Sequence, residues 1–105
     1  MVYGGFQHGW VTVGTTPVQL TDESVSTRQI IIKSSIDNTA PIYVGDSPTV
    51  TADKNEDTGG FELSPGESLE IEIDNTQRVY GVSTQADQMM CWIAVSDANQ
   101  TWSVS

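Results

Sequence analysis

Apolar positions in this chain recur every second residue or in short unbroken runs, and no useful stretch shows the three-to-four-residue spacing of an amphipathic helix. β-Branched residues and turn formers dominate between them, which predicts an all-β protein. Trp10-Val11-Thr12-Val13 begins a first strand, and Thr16 to Leu20 is expected to continue it past a kink at Gly14. Pro17 suits an edge or a bulge better than a central ladder. Arg28 to Lys33, with Ile30-Ile31-Ile32 at its centre, is apolar on both faces and reads as a central strand. Pro41 to Val44 is a short strand stopped by Gly45-Asp46-Ser47-Pro48. Thr49 to Thr51 is expected to pair briefly before a charged loop from Ala52 to Gly60.

Strict alternation follows. Phe61, Leu63, Leu69, Ile71 and Ile73 are expected to face inward and Glu62, Glu70 and Glu72 outward. Ser64-Pro65-Gly66-Glu67 between them fits a type II turn, since proline presets φ at the second position and glycine allows positive φ at the third. After the turn at Asp74 to Gln77 come a strand at Arg78 to Val82 and a polar loop at Ser83 to Gln88. Thr101 to Val104 is expected to close a sheet edge. Seven to eight short strands separated by regular turns predict an antiparallel β-sandwich, jelly-roll or immunoglobulin-like, with the strand order open. The domain is expected to span residues 10–105, behind a Gly-rich arm of residues 1–9.

The longest run, Met89-Met90-Cys91-Trp92-Ile93-Ala94-Val95, carries no charge and is apolar on both faces. A domain this small has one core to offer, so the second face needs another sheet layer or another subunit. Left open, the window is an aggregation site. Met89, Met90, Trp92 and Ile93 are therefore candidates for an oligomer interface. Tyr3, Phe6 and Trp10, in or beside the arm, are candidates for docking on another subunit, with packing on the parent domain or stacking on a ligand as alternatives.

Composition narrows the function. Fourteen acidic residues against four basic ones give a net charge of −10, which disfavours nucleic acid and anionic membrane surfaces alike. The acidity fits either a soluble protein kept dispersed by self-repulsion or adaptation to high salt, where screening shrinks the Debye length to about 3 Å at 1 M. No stretch approaches the roughly 20 apolar residues that span a bilayer. The first residues lack the pattern of a signal peptide. Cys91 is the single cysteine and, set in the apolar run, is expected in the core rather than reactive.

Candidate chemistry is thin. His8, the one histidine, lies in the arm beside no fixed nucleophile, so it does not suit a general base. Glu70 and Glu72 share a strand face and read as solvated rather than as a glycosidase pair. Asp53, Asn55 and Asp57 place oxygen ligands at alternate positions, as a calcium loop requires. The match is partial, because Thr58 stands where the sharp-turn glycine belongs and Ser64 where the bidentate glutamate belongs. No cofactor is expected beyond a cation in that loop, and no enzymatic activity.

The strand Val11 to Thr16, then Arg28 to Ile32, Pro41 to Gly45, Gly-Phe-Glu-Leu-Ser-Pro-Gly-Glu-Ser-Leu at Gly60 to Leu69, Val79 to Val82, and Met90 to Ser96 together resemble small β-sandwich virion proteins of tailed phages and haloarchaeal tailed viruses. The resemblance implies a non-enzymatic structural protein of the virion that decorates or projects from the capsid as a spike or turret, or sits in a tail. It implies a trimer or pentamer of this chain attached to a capsid or tail protein, and the acidity points to a haloarchaeal host. A carbohydrate- or receptor-binding module of a tail or fibre is the competing reading. A small secreted domain fits less well without a signal peptide or disulfides.

Overall fold

The structure, a computed structural model, describes residues 6–96. Eight strands are present among the described residues: β1 Phe6–Val13, β2 Val18–Gln19, β3 Thr27–Ser34, β4 Ile42–Gly45, β5 Phe61–Leu63, β6 Ser68–Ile71, β7 Tyr80–Ser83 and β8 Gln88–Ser96. They form two four-stranded antiparallel sheets, ordered β1-β8-β3-β6 and β2-β7-β4-β5. This β-sandwich has the strand order of a jelly roll, in which most connections cross from one sheet to the other. The immunoglobulin-like alternative does not fit that order.

The core lies between the sheets. Ile30, Ile32, Met90 and Ala94 from the first sheet meet Ile42, Val44, Leu63 and Val79 from the second side of the sandwich, all of them buried. Strand β3, read from its isoleucine run as central, lies between β8 and β6. The Ser64–Glu67 turn forms with the Glu67 N–H donating to the Ser64 carbonyl at 2.9 Å and with Gly66 at φ 89°. A Cβ at Gly66 would also stand 2.7 Å from Ile36 Cδ1. This turn does not close a hairpin. It carries the chain from β5 in one sheet to β6 in the other.

Two expectations change, and a third holds only in part. Residues 6–9, expected in the arm, are the first half of β1 and pair with β8 from Phe6 opposite Val95 onward. Thr16 to Leu20 does not prolong β1. The chain leaves the first sheet at Gly14 and forms β2 at the edge of the second. Phe61 shares the inward face with Leu63, opposite Val44, as expected, but is 58% exposed. It lies at the end of an edge strand and lines, with Leu69, Ile71 and Ile73, a groove of about 250 Å³ where the two sheets part. Thr49 to Thr51 contributes one bridge, Thr51 to Gly59. The expected strand at Thr101 to Val104 lies outside the described residues.

Polar side chains pin the ends of the sandwich. The Asn38 amide spans β8 at Met89, donating from Nδ2 to its carbonyl at 2.8 Å and accepting its N–H at Oδ1 at 2.8 Å. Buried Gln88 accepts the N–H groups of Thr39 and Ala40 at 2.8 and 3.0 Å and donates to Thr39 Oγ1 and the Ala86 carbonyl. Thr76, fully buried, accepts from the Val25 N–H and donates to the Glu23 carbonyl. Each of these groups is satisfied, as burial demands.

Candidate functional site

The register of the first sheet decides what the apolar run does. Side chains of Met90, Trp92 and Ala94 point into the sandwich, whereas Met89, Cys91, Ile93 and Val95 lie half-buried on its outer face. Met90 has no exposed surface and Trp92 only 8%. Of the four interface candidates, these two are therefore consumed by the core of the subunit itself, and Met89 and Ile93 remain available outside. Cys91, expected in the core, is instead a half-buried free thiol on the outer face.

Cross-strand pairing extends this face sideways. Phe6, His8, Trp10 and Thr12 of β1 stand opposite Val95, Ile93, Cys91 and Met89, and Ile31 of β3 stands opposite Ile93 from the other side. Phe6 and Trp10 are 62% and 63% exposed. The Phe6 and His8 rings lie 6.2 Å apart, tilted by 39°. His8, Trp10, Ile31, Lys33, Cys91 and Ile93 line an open groove of about 330 Å³. Thus Phe6 and Trp10, two of the arm-docking candidates, are only partly covered by their parent domain and belong to the same surface as Met89 and Ile93. Tyr3 lies outside the described residues. Ile31 joins this face through the register alone, since an Ile-Ile-Ile run does not say which isoleucine faces out.

One residue on the inner side makes this edge possible. Gly9 stands opposite Trp92, and the indole lies so close that a Cβ on Gly9 would sit 3.2 Å from Trp92 Nε1 and Cζ2. The ring covers the gap a glycine leaves in an edge strand. Trp92 Nε1 is left buried without an acceptor among the described residues, a cost of about 1–3 kcal/mol.

The outer face of the second sheet is built differently. Tyr43 and Val82 there are covered by Val50, with Ala52 and Tyr80 packed alongside. The loop after β4 thus forms a small second core on its own sheet. Tyr43 is held by its O–H donating to Glu62 Oε2 at 2.6 Å. That hydrogen bond, then burial, then the negative charges of Glu62 and Asp53 raise the Tyr43 pKa above its ordinary value. Among the described residues nothing covers the outer face of the first sheet in the same way.

The proposed cation ligands lie in that covering loop. Asp53 Oδ1 accepts from the Thr51 hydroxyl at 2.7 Å and the Asn55 N–H at 3.0 Å, and Asn55 Oδ1 accepts from the N–H groups of Asp57 and Thr58. These are Asx-type turns in which the side chains hold the loop itself. The Thr51 hydroxyl, followed by the Asn55 N–H, lowers the Asp53 pKa. Among the described residues no group of three or more His, Cys, Asp or Glu side chains is placed to hold a metal ion.

No protein-family model matches the chain, and no curated protein matches its sequence. Solved structures do resemble it. A protein of Bacillus endospore appendages, described as disulfide-linked pili, superposes with a TM-score of 0.51 at 12% identity, over 89% of this chain and 87% of that one. The IMPa metallopeptidase from Pseudomonas aeruginosa superposes with a TM-score of 0.53 at 12% identity, over 99% of this chain but only 15% of that one. The SPBc2 prophage-derived protein YomS gives a TM-score of 0.48 at 20% identity over 91% of this chain and 99% of that chain. At 12% identity the likeness to the first two is one of fold.

Proposed function

We propose that this chain is a non-enzymatic structural subunit of a virion, working as a homo-oligomer that decorates or projects from the particle. The observation that carries the reading is the open apolar face of the first sheet, with Phe6 and Trp10 well exposed beside Ile31, Met89, Ile93 and Val95. Such a surface is costly in a free monomer, because full burial of a Phe or Ile side chain is worth about 1.5–3 kcal/mol. In an assembly the same surface becomes an interface. A protein of the same fold and similar length builds pili in Bacillus, so the architecture can serve as a building block. The acid-rich surface suits high salt, where screening relieves repulsion between subunits.

A second reading draws on one feature. Trp10 stands exposed in a groove with His8 and Lys33 beside it, an aromatic platform with polar neighbours of the kind that binds a sugar ring. Molar mass by light scattering, in about 2 M and about 0.15 M salt, separates the two. A sharp oligomer in high salt that weakens in low salt supports the structural subunit. A folded monomer in both would overturn it and turn attention to a glycan screen.

A further inference from the structure

Among the described residues β1 is an edge strand, and its alternation fixes which backbone groups point away from the sheet. The Met89 N–H and carbonyl are bonded on the β3 side, to Asn38 and Ser35. Antiparallel strands alternate the direction of their bonding groups, so Gln88, Met90, Trp92 and Ala94 direct theirs at β1. Their partners are Val13, Val11, Gly9 and Gln7. Phe6, His8, Trp10 and Thr12 therefore direct their N–H and C=O groups away from the sheet, unpaired among the described residues. The same four residues carry the side chains of the outer face.

We infer that β1 pairs antiparallel with β1 of a second copy of this chain, joining two four-stranded sheets into one. The inference rests on the proposal that the chain works as a homo-oligomer. Charge argues for a second copy as the occupant. The eight residues of β1 and the nine of β8 contain no Asp, Glu, Lys or Arg, while the chain carries a net charge of −10. A cationic partner would be drawn to the acidic loops and strands elsewhere. Two like-charged copies approach with least repulsion along the one long edge strand, which has no acids. Screening then makes their association stronger as salt rises.

The strand is also complementary to itself. Centred on Gly9, the pairing sets Phe6 against Thr12 and His8 against Trp10 of the second copy, with Gly9 against Gly9. All four free residues become hydrogen-bonded pairs, and the aromatic side chains meet on one face. The Trp10 and Phe6 rings lose part of their exposure to cross-strand neighbours without any change in the intramolecular ladder. The contact is two-fold symmetric, so it builds dimers or even-numbered assemblies rather than the trimer or pentamer expected from resemblance.

The test uses the full chain, by light scattering across a concentration series in high salt, with two variants. His8→Pro removes an N–H that points away from β8, so the subunit keeps its ladder while the paired edge is blocked. Ile31→Lys charges the outer face but leaves the edge intact. The expected result is a dimer for the parent chain and for Ile31→Lys, and a folded monomer for His8→Pro. An odd-numbered oligomer that survives His8→Pro and is lost in Ile31→Lys would overturn the strand pairing and leave the homo-oligomer standing. A monomeric parent chain would overturn both. Should His8→Pro fail to fold, amide exchange on the parent chain decides. The amides of His8, Trp10 and Thr12 should slow as concentration rises, and amides that exchange rapidly at every concentration would sink the pairing.

Discussion

The two edges of the first sheet are opposites. β6 is four residues long, and its exposed positions are Ser68 and Glu70, with Glu67 and Glu72 at either end. β1 is twice that length, uncharged, and shows Phe6, His8 and Trp10 to solvent. Shortness and outward-facing charge are ways to blunt an edge against pairing with another chain, and a long, flat, apolar edge invites it. One sheet thus carries a protected side and an unprotected one. The protection on β6 shows that the fold can blunt an edge where pairing is unwanted. Its absence on β1 is what the inferred strand pairing relies on.

The comparison breaks most sharply on the strand itself. Val11 directs its N–H at Met90, whereas the neighbouring Thr12 directs its own outward. Val11→Pro should therefore cost about 3 kcal/mol, from a lost ladder bond, an unpaired carbonyl on β8 and lost packing against the core. In a domain of this size that lowers Tm by about 12–24 °C. Thr12→Pro should stay within about 1 kcal/mol, measured by thermal melts at concentrations low enough to keep the subunit monomeric. Equal losses would mean that the bonding alternation on β1 is not as assigned.

Sequence patterning reached the fold class, the central place of β3, and the Ser64–Glu67 turn, because each rests on local rules of spacing and φ. It singled out Phe6, Trp10, Met89 and Ile93, which share the outer face of the first sheet, for a similar reason: large apolar side chains without a partner in their own segment stand out. What it missed was non-local. Nothing in the run Met89 to Val95 says which parity faces the second sheet, so sequence alone does not separate Met90 and Trp92 from Met89 and Ile93 on the opposite side. The glycines of residues 4–9 read as an arm, yet Gly9 is the place where β1 makes room for the Trp92 ring. Asn38, Gln88 and Thr76 look like ordinary loop or strand-end residues in one dimension. Only the folded chain shows that each bonds a segment some fifty positions away.

The second sheet offers a smaller test, at an edge where a charge has an internal role. Glu62 on edge strand β5 accepts from Tyr43 and so helps hold the phenol in its neutral form. A Tyr pKa raised on folding means that the folded chain keeps this proton more tightly than the unfolded one. The corresponding stability is fully present below about pH 10 and is lost as pH rises through the raised value. Replacing Glu62 with Gln should bring the titration of one of the three tyrosines back toward its ordinary value. The alkaline loss of stability should shrink with it. Ultraviolet titration of both proteins checks this, and an unchanged curve would show that the Glu62 contact does not govern Tyr43.

The smallest stability effect carries the most information about the edges. Glu70 is exposed on β6, opposite Ile31, and carries no ion pair among the described residues. Glu70→Val should change stability by no more than about 0.5 kcal/mol, since it removes a solvated charge and adds a side chain suited to a strand. Its effect on association should be larger. A subunit with one adhesive edge closes into a dimer and stops, whereas a second adhesive edge on the same sheet has no closing symmetry and propagates. Light scattering should then show a parent mass that plateaus with concentration and a Glu70→Val mass that keeps climbing. A variant that plateaus with the parent would show that charge does not keep β6 apart. The length of the strand, four residues against eight, would then be the property that separates a closed edge from an open one.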